Sequence, residues 1–168
     1  STMMGIGVMP NDDDLYMGML GTNGKPHANY AVHECDVLVL VGARVADRAV
    51  VKPYKLERRN TTIVHIDVDP AEIGKNLGTT VPLVGDVHVI FENLLQYEIP
   101  GNYTAWNEEL AEKKAAYVDR RHFNPDFVNP CRFVQTLSSK MNDDAIYVAD
   151  VGQNQLWSAD NYVMKHGR

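Results

Sequence analysis

Three places in this sequence set glycine, arginine or aspartate directly after an apolar run. Gly42-Ala43-Arg44 follows Val41, Asp67-Val68-Asp69 follows Ile66, and Gly85-Asp86 follows Val84. Each residue type has a use at such a place. A glycine has no Cβ and lets a ligand come close to the backbone. An arginine offers a forked set of donors that fits a phosphate. An aspartate accepts hydrogen bonds from ribose or adenine. Open parallel sheets bind ligands beyond the carboxyl ends of their strands, so the three places together describe a nucleotide site. Taken singly, each glycine is better explained as a strand-to-loop turn and each acid as a helix cap. The recurrence at three successive run ends is what points to a nucleotide.

Other motifs carry less. Gly5-Ile-Gly7 lacks a third glycine and is followed by Pro10, so the dinucleotide fingerprint is absent. Leu20-Gly-Thr-Asn-Gly24 is a second glycine loop, and its backbone N–H groups could cradle a polar part of a ligand. The six histidines show no metal-ligand spacing, and His65, inside an apolar run, reads as a satisfied core histidine. There is no Gly-x-Ser-x-Gly nucleophile motif. Cys35 and Cys131 lie far apart; Cys35 reads as a buried reduced thiol, and this usage suits the cytosol.

The elements that must position these residues are short. Residues 37–41, 63–66 and 81–84 are rich in β-branched side chains and read as strands, the first two covered on both faces. Residues 2–4 suggest a fourth. Helices are expected over 25–34 and 87–96, with a short turn of helix at 70–75. The alternation predicts an α/β fold: a Rossmann-like parallel sheet with flanking helices over residues 1–100. A charged linker helix, capped by Thr104, is expected within 101–122. A second, incomplete α/β unit is expected from 123 to 168, with a helix over 130–141 and a strand over 145–149 that ends in Asp150-Val-Gly-Gln.

Composition bounds the function. The 168 residues carry a net charge of −6, and clustered cations for nucleic acid are lacking. The longest purely apolar run, residues 37–41, is far too short to span a bilayer. No signal peptide is expected.

The motifs also occur in a telling order. Met17-Gly-Met-Leu-Gly-Thr-Asn-Gly24, Ala28-Asn-Tyr-Ala31, Cys35-Asp36, Val41-Gly-Ala-Arg44 and Asp47-Arg48 come first. His65-Ile-Asp-Val-Asp-Pro-Ala-Glu-Ile-Gly-Lys-Asn76, Val81-Pro-Leu-Val-Gly-Asp-Val87 and Asp150-Val-Gly-Gln-Asn-Gln155 follow. This succession closely resembles the large catalytic subunit of the acetolactate synthases, which are thiamine-diphosphate enzymes, and covers nearly the whole chain. The resemblance implies condensation of two pyruvates, or of pyruvate and 2-oxobutyrate, with loss of carbon dioxide. It implies thiamine diphosphate with Mg2+, and FAD lying across the central domain without net redox work. By motif position, FAD would meet Gly21, Thr22, Asn23, Gly24, Gly42, Ala43, Arg44, Asp47, Arg48, Asp67, Val68, Ile73, Gly85 and Asp86. Gly152 and Gln153 would meet the pyrophosphate of thiamine diphosphate, with Asn154 beside it.

Two motifs depart from the family. Its Arg-Phe-Asp-Asp-Arg is here Arg44-Val-Ala-Asp-Arg48, and its Leu-Gly-Met-His-Gly is Leu20-Gly-Thr-Asn-Gly24. Both lie on the flavin side. The activating glutamate and the metal-binding segment of the family have no counterpart here. The 168-residue chain is therefore expected to be a fragment that is inactive alone, with no catalytic or metal-binding residue of its own. The resemblance further implies a cytoplasmic homo-oligomer, with room for a small regulatory subunit, and neither nucleic acid nor membrane as partner. A fragment of a sister thiamine-diphosphate decarboxylase and a stand-alone nucleotide-binding module are the alternatives.

Overall fold

The computed structural model describes residues 1–46, 49, 61–119 and 121–165. Among them, strands β1 (Val37–Val41), β2 (Thr62–Asp67) and β3 (Val81–Val84) form a parallel sheet in the order β1-β2-β3. Val41 pairs with Ile66 and Asp67 with Val84, so the carboxyl ends of all three strands fall on one edge. The expected strands at 37–41 and 81–84 match, and the central one gains a residue at each end. Cover on both faces, expected of the first two, is found for β2 but not for β1, where Val37, Val39 and Val41 are exposed.

Helices α1 (Pro26–Glu34) and α2 (Val87–Leu94) flank the sheet in sequence. Proline at the start of α1 suits a first turn that has no use for its missing N–H. Asp86 caps α2, its Oδ1 accepting from the N–H of His88 at 2.8 Å. Helix α3 (Thr104–Ala115) is shorter than expected and is entered differently. Thr104 is its first residue rather than its cap, and Asn102 Oδ1 accepts the Thr104 N–H at 3.0 Å. Residues 70–75 make hydrogen-bonded turns, opened by Asp69 Oδ1 accepting from Ala71 N at 2.9 Å.

The core lies beside β2. Val45, Ile63 and Leu77 are buried together, with Leu20, Val32, Leu38 and Leu40 packed on them, and Ile66 is completely buried. Val45 is held at φ 48°, a strained conformation for a β-branched residue, where the chain leaves β1. His65 is 2% exposed. Its Nε2 lies 3.1 Å from the Ala43 carbonyl and its Nδ1 accepts the Gly74 N–H at 3.3 Å. That pairing requires the proton on Nε2. His65 is thus a satisfied core histidine, and it pins the loop after β1 to the loop after β2.

Two expected strands are absent. Residues 2–4 lead into a 3₁₀ turn, Met3–Gly5, because Thr2 Oγ1 captures the Gly5 N–H at 3.2 Å and no strand lies alongside. Residues 145–149 join no ladder among the described residues. Tyr147 faces inward, stacked 4.3 Å from Tyr162 and bonded to Ser158 Oγ at 2.8 Å, while Ile146 is 90% and Val148 85% exposed. This second unit is otherwise helical, with α4 (Pro130–Lys140) and α5 (Gln153–Asn161) packed together. The N-terminal segment joins it: Asn11 N donates to the Met164 carbonyl at 2.8 Å. Cys35 is half-buried and Cys131 buried, both unpaired, and burial pushes the Cys35 thiol up. No helix among the described residues is long and apolar enough to cross a membrane.

Candidate functional site

The sheet edge gathers the first group of predicted residues. Gly42 N donates to the Ile66 carbonyl at 2.8 Å, and Gly85 N donates to the Asp67 carbonyl at 3.0 Å. Gly42, Asp67 and Gly85 therefore stand side by side along the edge. Gly42 has φ 56°, a conformation that favours glycine, and a Cβ built there would meet nothing within 4 Å. Among the described residues, nothing crowds this tip. Arg44 is exposed beside it, and its carbonyl accepts from Asn76 Nδ2 at 2.8 Å. Ala43 is half-buried, Val68 is exposed and Ile73 is half-buried nearby in the chain.

The two acids at this edge are partly committed. Asp67 is buried and its Oδ1 accepts the Asp69 N–H at 2.9 Å. Asp86 spends Oδ1 on the start of α2. For Asp86 the cap reading is therefore real, whatever else it meets. Asp47 and Arg48 lie outside the described residues.

The second group is the glycine loop before α1. Gly21 is buried, Thr22 and Asn23 are exposed, and Gly24 is half-buried. A Cβ on Gly24 would stand 2.4 Å from the Met19 carbonyl oxygen, so no other residue fits this turn. Asn29, one turn into α1, braces the loop twice. Its Oδ1 accepts from Gly21 N at 2.7 Å and its Nδ2 donates to Gly21 O at 2.9 Å. Asn29 stands in the Ala28-Asn-Tyr-Ala31 motif, but its partner could not be read there; only an asparagine near a helix start after glycines hinted at it.

The third group begins α5. Gly152, the N-cap, and Gln153 and Asn154 are exposed. The first N–H groups of a helix have no carbonyl partners within it and attract anions. Gln153 also lines a cleft of about 920 Å³, together with Asn23 and Gly24 of the glycine loop. The structure thus brings Asn23 and Gly24 of the second group and Gln153 of the third onto one cleft. The sheet-edge residues do not line it.

The rest of that cleft is aromatic and cationic. Tyr30, Tyr117 and Trp157 line it with Lys25, Lys113 and Arg121. Lys113 Nζ sits 4.7 Å from the centre of the Tyr30 ring, whose hydroxyl bonds Glu109. His27 is 7% exposed and stands between this cleft and a second one of about 400 Å³. Burial, then the charges of Lys25 and Lys114, push its pKa down, against a hydrogen bond to Met17 and the charge of Asp160. Arg121 Nε bonds Asp119 at 2.9 Å and holds that carboxyl down at about 2. Among the described residues no three His, Cys, Asp or Glu side chains converge to hold a metal.

Comparison with known proteins gives the chain's family. Residues 1–94 match the model of the thiamine pyrophosphate enzyme central domain. The chain is 39% identical over 178 residues to a probable acetolactate synthase large subunit of Methanocaldococcus jannaschii, an alignment covering 100% of this chain and 30% of that protein. It is 37% identical to acetolactate synthase 1, chloroplastic, of Oryza sativa subsp. japonica, covering 100% of this chain and 27% of the relative. The corresponding protein of Nicotiana tabacum is 35% identical, again over 100% of this chain and 26% of its own length. The chain therefore spans less than a third of the relatives it matches.

Proposed function

This chain belongs to the thiamine pyrophosphate enzyme family, whose central domain it carries, and on that premise we propose that it is part of an acetolactate synthase that joins two pyruvates, or pyruvate and 2-oxobutyrate, with loss of carbon dioxide. The observation that carries the reading is the sheet edge, where Gly42 N donates to Ile66 O and Gly85 N to Asp67 O, so that Gly42, Asp67 and Gly85 stand side by side, with no described residue crowding Gly42. That edge suits the adenine-bearing part of FAD, with Arg44 supplying positive charge for its phosphates and Val68 and Ile73 apolar contact.

The glycine loop serves the flavin side. Its turn is fixed by Gly24 and by the Asn29 brace. The N–H groups of Leu20, Gly21 and Gly24 are taken up by the Ser1 carbonyl, Asn29 Oδ1 and the Gly21 carbonyl, so the exposed Thr22 and Asn23 are what it presents, without further ordering. The start of α5 serves the diphosphate of thiamine diphosphate. Gly152, Gln153 and Asn154 offer unpaired helix-start N–H groups to an anion. When bound, thiamine diphosphate stabilises a carbanion on the substrate; the chain's share is to hold and orient the group. Its Mg2+ would draw ligands from outside the described residues. The protein would work in the cytoplasm as a homo-oligomer, and exposed Ile146, Val148 and Val151 favour burial against further protein. A small regulatory subunit is a further partner on this reading.

The test is carbon dioxide release from pyruvate by the whole protein that contains these residues, with and without thiamine diphosphate and Mg2+. Release that depends on both is expected, and none from the 168-residue chain alone. Thiamine diphosphate-dependent decarboxylation that yields no acetolactate would move the assignment to a sister decarboxylase.

A further inference from the structure

One buried carboxylate ties the glycine loop to α5. The side chain of Asp160 is 7% exposed. Its Oδ1 lies 2.7 Å from Lys25 Nζ, and its Oδ2 accepts from Arg121 Nη2 at 2.8 Å. Lys25 is inseparable from the glycine loop. It follows Gly24 directly, its own N–H donates to the Met19 carbonyl at 2.7 Å, and its ammonium is 5.0 Å from the centre of the Tyr117 ring. Asp160 is equally tied to the other loop, because α5 runs unbroken from Gln153 to Asn161. An ion pair shielded from water is screened little by salt. Asp160 Oδ1 is buried and accepts no hydrogen bond, so the nearby Lys25 charge is what offsets its burial, and separating the two would remove that offset. A shift of either loop is therefore opposed unless the other follows.

Resting on the cofactor reading above, we propose that Lys25 and Asp160 are a positioning pair that makes flavin binding at the glycine loop and diphosphate binding at the start of α5 favour each other. Asn23, Gly24 and Gln153 line the same cleft, and Lys25 and Asp160, which line it too, bridge its two sides. Each ligand binds best to that paired arrangement, so each stabilises it for the other, and linkage makes the effect reciprocal.

The experiment measures FAD affinity of the whole protein by flavin fluorescence, with and without thiamine diphosphate and Mg2+, and then the reverse. Thiamine diphosphate is expected to tighten FAD binding about fivefold or more, and FAD to tighten thiamine diphosphate by the same factor. Lys25→Met and Asp160→Asn should bring that factor to about one while each cofactor alone still binds; Lys25→Arg should retain it. If Asp160→Asn does not fold, Lys25→Met decides the matter, because it leaves Asp160 paired with Arg121. A factor unchanged in Lys25→Met, or both affinities falling in parallel with the factor intact, would overturn the proposal and leave the pair a structural one. A wild-type protein that binds both cofactors independently overturns the coupling alone. One that binds no flavin overturns the cofactor reading beneath it.

Discussion

The sheet unit and the α4–α5 unit contain runs of the same kind and treat them differently. Ile63, Val64 and Ile66 of β2 lie between two neighbouring strands, and Ile66 is wholly buried. Ile146 and Val148 alternate in the same strand-like way, yet stand almost fully exposed with no ladder beside them. β propensity is mostly the fit of a side chain to a pleated surface supplied by others. The comparison teaches that such a run becomes a strand only where the chain supplies its neighbours.

The largest expected effect is a direct test of that contrast. Ile66→Ala should lower unfolding free energy by about 2–5 kcal/mol, read by chemical denaturation, since it opens a void in a packed centre. A loss below about 1 kcal/mol would mean that β2 is not the core.

His65→Phe should cost about 1–3 kcal/mol, because a buried Gly74 N–H and Ala43 carbonyl would lose their partner. It should also loosen the loop after β1, which amide hydrogen exchange at Ala43 and Arg44 would record as faster exchange.

A pH effect is expected at the boundary between the two units. The folded His27 has a pKa below the ordinary 6.5, so the fold favours its neutral form. The unfolded chain then takes up the proton first. Stability is complete above about pH 6.5 and falls as pH drops below it. Denaturation midpoints at pH 7.5 and 5.5 should show the decline, and His27→Phe should flatten it. Asp119, held at about 2, adds a separate loss from about pH 4 down to 2, since its stabilisation exists only while it is ionised.

The smallest effect is the counterpart of the first. Ile146→Ala should change stability of the 168-residue chain by less than about 0.5 kcal/mol. A loss comparable to that of Ile66→Ala would show that residues 145–149 are packed in solution, and would erase the contrast between the units.

The sheet was legible because its strands are short β-branched runs and the glycines after β1 and β3 mark the edge, although only β2 is covered on both faces. That is why the bounds of β1 and β3, and the grouping of Gly42, Asp67 and Gly85, could be read directly. Other features were not legible. The Asn29 brace, the Lys25–Asp160 pair and the Tyr147–Tyr162 stack depend on contacts that periodicity does not encode. The expected strand at 145–149 failed for the complementary reason: its local pattern was right, but a ladder is a property of two segments. Thr104 was misplaced as a cap because the helix begins one residue earlier than that reading allows: Tyr103 is the cap, and Asn102 Oδ1 takes the Thr104 N–H.

The account rests on the sheet edge as a nucleotide site, and a titration of the purified chain with FAD, followed by flavin fluorescence, tests it most directly. Saturable binding is predicted, displaced by excess ADP and much weakened in Arg44→Ala at an unchanged unfolding midpoint. Fluorescence that never saturates, or binding indifferent to Arg44→Ala and to ADP, would contradict it.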